Sequence, residues 1–255
     1  MDNIWRKRFG APARSTSEEL RVRAHDYVDG AREIWHSHEY GQLVHATQGV
    51  IRVLTRMGAW TVPPAYGFWI APGVDHELHM VGEVAMRALY VESDQLPTVW
   101  QSCRLIRVEP LLRELILGML APDAHTALLT PLLLHQLISA TETEGCSLPL
   151  PRDKRVLSVC EMLLEDPANP ATLEDWSESI GASVRTLRRR FRDETGLSFN
   201  QWRQQLRIAE AVCQLAQGRP LGAIARDMGY ANGNAFGAMF KRVLGEAPSR
   251  YLGKA

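Results

Sequence analysis

The period of the hydrophobic positions changes once along this chain. From about Val22 to Val91, short β-branched and aromatic runs are broken by Gly41, Gly49, Gly58, Pro63-Pro64, Gly67, Pro72-Gly73 and Gly82. Short strands with such regular punctuation predict a β-barrel or sandwich. From Val108 the period becomes helical. Leu111, Leu112, Leu115, Ile116 and Met119 make one amphipathic stretch. Leu128, Leu132, Leu133, Gln136 and Leu137 predict a second helix that starts after Pro131 or its preceding turn. Ser147-Leu148-Pro149-Leu150-Pro151 reads as a stiff extended linker, and from Arg152 onward the text is all helix.

The expected fold is therefore a two-domain α+β chain. A flexible arm covers residues 1–20, a β-barrel 21–100, two connecting helices 101–145 and a linker 146–151. An all-α domain follows over 152–255. The two connecting helices can cap the barrel and can also provide a dimer contact, the first helix being the better candidate.

The all-α region carries two helix-turn-helix patterns, at about 172–194 and 221–244. The first runs Thr172-Leu173-Glu174-Asp175-Trp176, then Gly181-Ala182-Ser183, then Val184 to Arg192. The second runs Leu221 to Ala225, then Met228-Gly229-Tyr230, then Asn232 to Arg242. Each is a short helix, a Gly-containing turn and a second helix, the form that lays a helix in the DNA major groove. In the first unit Ser183 is a plausible N-cap, and Val184, Leu187 and Phe191 form one apolar stripe. Arg185, Arg188, Arg189 and Arg192 form another. A basic stripe alone is usually a solvated face. Behind a short helix and a Gly turn, and repeated downstream, it becomes a candidate for guanidinium contacts to phosphate and guanine.

Charge sharpens this division. The chain is neutral overall, but residues 1–150 hold 13 Lys+Arg against 17 Asp+Glu, so residues 151–255 carry a net +4. The basic half is the one that phosphate neutralisation requires. All eight histidines lie in the acidic half. The four cysteines, Cys103, Cys146, Cys160 and Cys213, show no CxxC spacing, which argues against a zinc finger or a disulfide framework. No apolar run reaches the length of a membrane span and no signal peptide stands at the start, so a cytoplasmic, nucleoid-associated protein is expected. Arg6, Lys7 and Arg8 in the arm could touch DNA, a solvated tail being the plainer reading.

His36 and His38 lie at i, i+2, so on a strand both side chains share a face. The wider text is Gly30, His36-Ser37-His38, Gln42 and Gly49, followed by Pro72-Gly73-Val74-Asp75-His76. Together these resemble the two signature motifs of the cupin barrel. That resemblance carries His36, His38 and His76 onto metal positions, with Gln42 where the family has Glu. Gln is a poorer ligand than carboxylate, yet three imidazoles with it could hold Zn²⁺, Ni²⁺, Co²⁺ or Fe²⁺. The alternatives are histidines that bind a small anionic or polar effector, or that merely satisfy the core. His45 and His79 read as ordinary strand residues. Trp35, Tyr40, Trp60 and Trp69 could line a pocket, with core packing the default.

The C-terminal hundred residues closely resemble the DNA-binding domain of the AraC/XylS family of transcription regulators. The resemblance rests on Arg189-Arg190-Phe191-Arg192-Asp193-Glu194-Thr195-Gly196, on Ile224-Ala225 with Gly229-Tyr230, and on Phe240-Lys241-Arg242 with Gly245-Glu246-Ala247-Pro248-Ser249-Arg250-Tyr251. It implies seven helices, with a long one at about Phe199 to Gln217 joining the two units, and a cupin-like effector domain in front. It also implies that Val184, Arg185, Arg188 and Arg189 reach bases or adjacent phosphates. The matching positions of the second unit are Gly233, Asn234, Gly237 and Ala238, of which only Asn234 has hydrogen-bonding reach. The first unit should then supply most base specificity, and the second should act through Asn232, Lys241 and its helix N-terminus.

The function expected is a promoter-binding repressor or activator whose barrel senses a small molecule or metal ion. A homodimer is expected, with RNA polymerase as a partner if it activates. A metal-dependent cupin enzyme fused to a DNA-binding domain is the alternative, but no acid/base pair stands beside the histidines.

Overall fold

A computed structural model describes residues 20–92, 97–121, 125–143, 146–167 and 169–252. Arg6, Lys7 and Arg8 of the expected arm lie outside the described residues. The chain folds as an N-terminal β-sheet domain followed by a helical domain.

Nine strands form one antiparallel sheet: β1 (Leu20–Tyr27), β2 (Arg32–His36), β3 (Gly41–Thr55), β4 (Gly58–Val62), β5 (Tyr66–Ile70), β6 (His76–Val91), β7 (Arg104–Arg107), β8 (Glu142–Thr143) and β9 (Cys146–Pro149). The main order is β1-β6-β3-β5-β7-β8. Strand β2 also pairs with β6, β4 with β3, and β9 with β4. The outer strands β1 and β8 are not joined, so the expected barrel is not closed. The sheet instead bends on itself. Its two long strands change register near Gly49 and Gly82, both with positive φ (76° and 75°). A side chain at Gly49 would put its Cβ 2.4 Å from the Glu83 carbonyl oxygen, so only glycine fits this crossing.

On either side of the bend the long strands have different neighbours. Gly41–Ala46 of β3 and Val84–Val91 of β6 join β1 and β5, whereas Ile51–Thr55 and His76–Met80 join β2 and β4. Strand alternation then sorts the side chains. Val44, Ala46, Ile51, Val53, Phe68 and Met86 are fully buried on the inner face, where Trp60 of β4 meets Phe68 of β5 at 4.7 Å between ring centroids. Leu43, Trp69, Leu89 and Ile106 lie on the opposite face, in the cluster capped by the two connecting helices.

Those helices are α1 (Pro110–Gly118) and α2 (Thr126–Ile138). Leu112, Leu115, Ile116, Leu133 and Leu137 are their buried residues. Pro131 lies inside α2, which starts at Thr126, in the turn before the proline rather than after it. The proline falls in its second turn, where it forfeits the one bond to the Ala127 carbonyl without ending the helix. Leu111, Leu128, Leu132 and Ile138 remain exposed.

The expected linker is largely a strand. Gly58 to Thr61 of β4 pair with Pro149 to Cys146, because a Leu/Pro run in extended conformation suits a sheet edge as well as a free spacer. The helical domain then contains α3 (Lys154–Glu165), α4 (Leu173–Ile180), α5 (Val184–Thr195), α6 (Phe199–Ala216), α7 (Leu221–Asp227), α8 (Gly233–Leu244) and α9 (Pro248–Tyr251). Helix α6 opens on a capping box made by Ser198 and Gln201. Trp202, Leu206, Ala209, Val212 and Cys213 are buried as its register predicts, together with Ile208 and Ala211. It touches α5 and α7 as well as β3, β4, β6 and β9.

Polar contacts reinforce this junction. Arg52 of β3 pairs with Glu210 of α6 at 2.6 Å. Glu246 accepts from the Tyr66 hydroxyl and, at 2.9 Å, from Arg107 of β7. The Trp202 indole N–H donates to the Pro149 carbonyl at 2.8 Å, and the Tyr251 hydroxyl accepts from the Cys146 amide at 3.1 Å.

His45 is fully buried on the outer face of β3, its Nδ1 2.9 Å from the Tyr66 carbonyl oxygen. Burial holds its imidazole down to about 4, with the Arg113 and Arg87 charges adding to the effect. The unfolded chain takes up this proton near pH 6.5 and the folded one does not. Stability is therefore complete above pH 6.5 and declines as the pH falls toward 4, by about 3 kcal/mol from this one group. Urea titrations across that window should show the decline, and it should be shallower in His45→Leu. Parallel pH profiles for the two proteins would contradict the assignment.

Candidate functional site

The first helix-turn-helix unit is built by local signals. Thr172 and Asp175 form a capping box at the start of α4, and Gly181 ends that helix with φ 67°. Ser183 then caps α5, its hydroxyl accepting from the Thr186 amide at 3.3 Å. Leu187, Phe191 and Thr195 are the buried side of α5, and Val184 is half-buried. Phe191 packs edge-on against Phe199 and Trp202 of α6, with centroids 5.4 and 6.3 Å apart. That contact fixes the rotation of α5, leaving Arg185, Arg188, Arg189 and Arg192 all exposed. The four arginines line one groove beside α5, with Glu174, Val184, Asp193 and Ser198. Arg188 reaches only a long, exposed contact to Glu174 at 3.8 Å, so its guanidinium is available to a stronger partner.

The second unit has the same form and a different surface. Helix α7 is followed by Gly229 with φ 81°, and Asn232 caps α8 by accepting from the Ala235 amide at 2.9 Å. Phe236, Met239 and Phe240 are buried. Gly233 lies against α7, where a Cβ would make ordinary contact with the Gly222 backbone at 3.6 Å. Asn234, Ala238 and Lys241 are exposed, and a Cβ at Gly237 would meet nothing within 4 Å. This face offers a bare backbone with one amide and one ammonium.

The histidine site forms where the bent strands bring their ends together. His36 ends β2, His38 lies just beyond it and His76 begins β6. One ligand atom from each lies within 4.8 Å of the others. The rings of His36 and His76 are 4.2 Å apart, and those of His38 and His76 5.0 Å. In each residue Nδ1 faces a backbone carbonyl: Ile34 for His36 at 2.8 Å, Tyr40 for His38 at 2.7 Å and Val74 for His76 at 2.9 Å. A proton on Nδ1 satisfies the contacts of His36 and His76 and leaves their Nε2 atoms with lone pairs, whereas His38 also faces the Gln42 side-chain oxygen through Nε2. Burial pushes the His76 imidazole down to about 3, helped by His36, and burial also lowers His38, so both rings are neutral near pH 7. The Nε2 of His76 is buried and has no hydrogen-bond partner among the described residues.

Gln42 is buried in β3 with its side chain 2.8 Å from His38 Nε2. The other aromatic candidates divide. Trp69 is core, donating to the Trp100 carbonyl at 2.9 Å, and Trp60 is packed on Phe68. Tyr40 stacks on His38 at 4.2 Å and so belongs to the site, while Trp35 is 45% exposed on the neighbouring strand. His45 and His79 face away as strand residues, His79 meeting Glu77 at 2.7 Å. Tyr90 was not foreseen. Strand pairing sets it opposite Gln42, and its ring meets Tyr40 edge-on at 5.3 Å. Alternation along β6 carries that signal only once the bend is known.

Comparison with known proteins agrees with this division. The chain matches the AraC-like ligand binding domain family over residues 20–150 and the helix-turn-helix domain family over residues 176–254. It is similar to the HTH-type transcriptional regulator NimR of Escherichia coli K12, 32% identical over 225 residues covering 86% of this chain and 82% of that protein. It is also similar to the HTH-type transcriptional regulator RipA of Corynebacterium glutamicum, 34% identical over 103 residues covering 40% of this chain and 31% of that protein. Among solved structures, ToxT from Vibrio cholerae aligns over 93% of this chain and 99% of its own, at 10% identity and a TM-score of 0.39.

The cap of α8 gives Asn232 a structural role. Asn232→Ala should lower folding stability by roughly 1 kcal/mol, the usual cost of a lost cap. Chemical denaturation of the DNA-free protein measures it. An unchanged midpoint would show that the cap is dispensable.

Proposed function

The chain belongs to the AraC family of DNA-binding transcription regulators, and we propose that α5 reads promoter DNA while the histidine cluster receives the effector. The four exposed arginines of α5 are the observation that carries the DNA reading. Arg185, Arg188, Arg189 and Arg192 supply bidentate donors for guanine edges and phosphates, and Val184 supplies an apolar contact at the helix start. Helix α8 offers Asn234 to adenine, and Asn232, Gly233, Lys241 and its N-terminal amides to the backbone. Base specificity therefore resides mainly in the first unit.

The donor set at the histidines fits a divalent metal. Three imidazoles oriented by backbone carbonyls, with a buried His76 Nε2 that has no other partner among the described residues, are what a borderline ion such as Zn²⁺, Ni²⁺, Co²⁺ or Fe²⁺ requires. His36, His38 and His76 would hold it, with Gln42 as a neutral fourth group. A bound ion would supply a Lewis-acidic positive charge to which an effector could attach. The chain's own residues orient the imidazoles and exclude water from one side. The proposed role is sensing, since the relatives are regulators.

Exposed Leu111, Leu128 and Leu132 on α1 and α2 support a homodimer. RNA polymerase is a further partner if the protein activates. No helix of the described residues is long and apolar enough to cross a membrane. The proposed site of action is the cytoplasm, where promoter DNA lies.

Two measurements test these readings. Elemental mass spectrometry of the purified protein should find near-stoichiometric metal that His76→Ala loses. Absence of metal in the wild type, even after reconstitution with each of the four ions, would reject the metal site. In binding assays on scrambled half-sites, Arg188→Ala should relax sequence preference at one block by about 1–3 kcal/mol. Asn234→Ala should change it far less. Equal losses would refute the asymmetry.

A further inference from the structure

The inner face of the sheet continues past the histidines to a group of donors that the fold leaves unused. Strand β1 pairs with β6 so that Arg21 stands opposite Tyr90 and Arg23 opposite Ala88. Directly paired residues point to the same face, so both guanidiniums share the face of Tyr90 and Gln42. Arg21 is engaged by Glu92 at 3.3 Å. Arg23 is exposed and has neither an ion pair nor a hydrogen bond among the described residues. The half-buried Tyr40 and Tyr90 rings meet at 5.3 Å, and neither hydroxyl has a hydrogen-bond partner there. Burial pushes both phenols up and Glu33 adds to this, while the fields of Arg21 and Arg23 reach each of them and pull the other way. Glu33 shares this neighbourhood, but its carboxylate accepts the Tyr27 hydroxyl.

Unused donors with a free guanidinium call for an anion, and the fully buried Val44, Ala88 and Ile70 share their face of the sheet. We infer that Arg23, Tyr40 and Tyr90 form a carboxylate-binding subsite beside the histidine cluster, taking a small carboxylic acid as effector. The inference rests on the reading of the β-domain as the effector-binding half and is independent of whether a metal occupies the histidines. A carboxylate here accepts from Arg23 and the two phenols, and its body lies toward His38 and His76. A neutral amide of the same shape keeps the body and loses the charge.

The test uses the full-length protein and benzoate with its neutral isostere benzamide, by calorimetric titration, in metal-loaded and chelator-treated samples. Benzoate should bind at least tenfold more tightly than benzamide. Arg23→Gln should weaken benzoate about tenfold or more, the range for a lost charge-assisted bond, and leave benzamide unchanged. Tyr90→Phe keeps the ring and should produce a smaller loss of the same kind. Circular dichroism and retained metal content establish that each variant is folded. Equal affinity for the two probes, no benzoate binding in either sample, or a wild-type benzoate affinity in Arg23→Gln would overturn the subsite. Metal bound without such a preference leaves the metal reading standing and removes this one. An Arg23-dependent benzoate preference in a protein that binds no metal does the reverse.

Discussion

Burial of α6 on two sides is the constraint that the rest of the structure depends on. An isolated helix of this length is marginal in water and takes its stability from what it packs against. Here the partners lie in both domains. Trp202 is fully buried among α5 and the sheet-bearing segment, and its indole N–H is satisfied by Pro149 at the end of β9. Removing such a side chain from a core costs about 3–5 kcal/mol. The same helix carries Glu210 toward Arg52 and touches α7 of the second helix-turn-helix unit. The positions of both helix-turn-helix units are thus set by a helix that is itself seated on the ligand-binding domain.

The bend at Gly49 and Gly82 plays the corresponding part in the sheet. Without it the ends of β3 and β6 would be far apart, as the ends of strands of 15 and 16 residues must be. With it, Gln42 at one end of β3 and His76 at the opposite end of β6 meet in one site. The strands that leave this site run directly to the junction. Strand β3 passes from Gln42 to Arg52, which holds Glu210, and β5 passes from Ile70, paired with Gln42, to Tyr66, which holds Glu246. A ligand changes DNA occupancy only as far as it favours one arrangement of these contacts over another. The short route from site to junction makes such a difference in affinity physically accessible.

What could be read from the sequence was what is locally encoded. Thr172, Gly181, Ser183 and Gly229 state helix starts and stops within a few residues, and the helices lie where those signals put them. His36, His38 and His76 could be grouped because their spacing is repeated in a known motif. Sheet closure could not be read, since it depends on which distant strands share an edge. Tyr90 and Arg23 escaped for the same reason. Their common face follows from the pairing of β1 with β6, which is about sixty residues away along the chain. The run Ser147 to Pro151 was ambiguous in kind, because an extended Leu/Pro segment has one conformation whether it spans solvent or lines a sheet.

Charge is distributed against the net balance at the junction. The β-domain belongs to the acidic half, yet it contributes Arg52 and Arg107, while the basic helical half contributes Glu210 and Glu246. Pairs placed this way consume the minority charge of each half. In the helical domain two carboxylates are thereby paired with guanidiniums of the β-domain. The carboxylates that share the groove of the α5 arginines are Glu174 and Asp193, not the two at the junction. The contacts that join the domains therefore balance charge where the two halves meet and leave the net positive charge of the helical half for long-range attraction to phosphates.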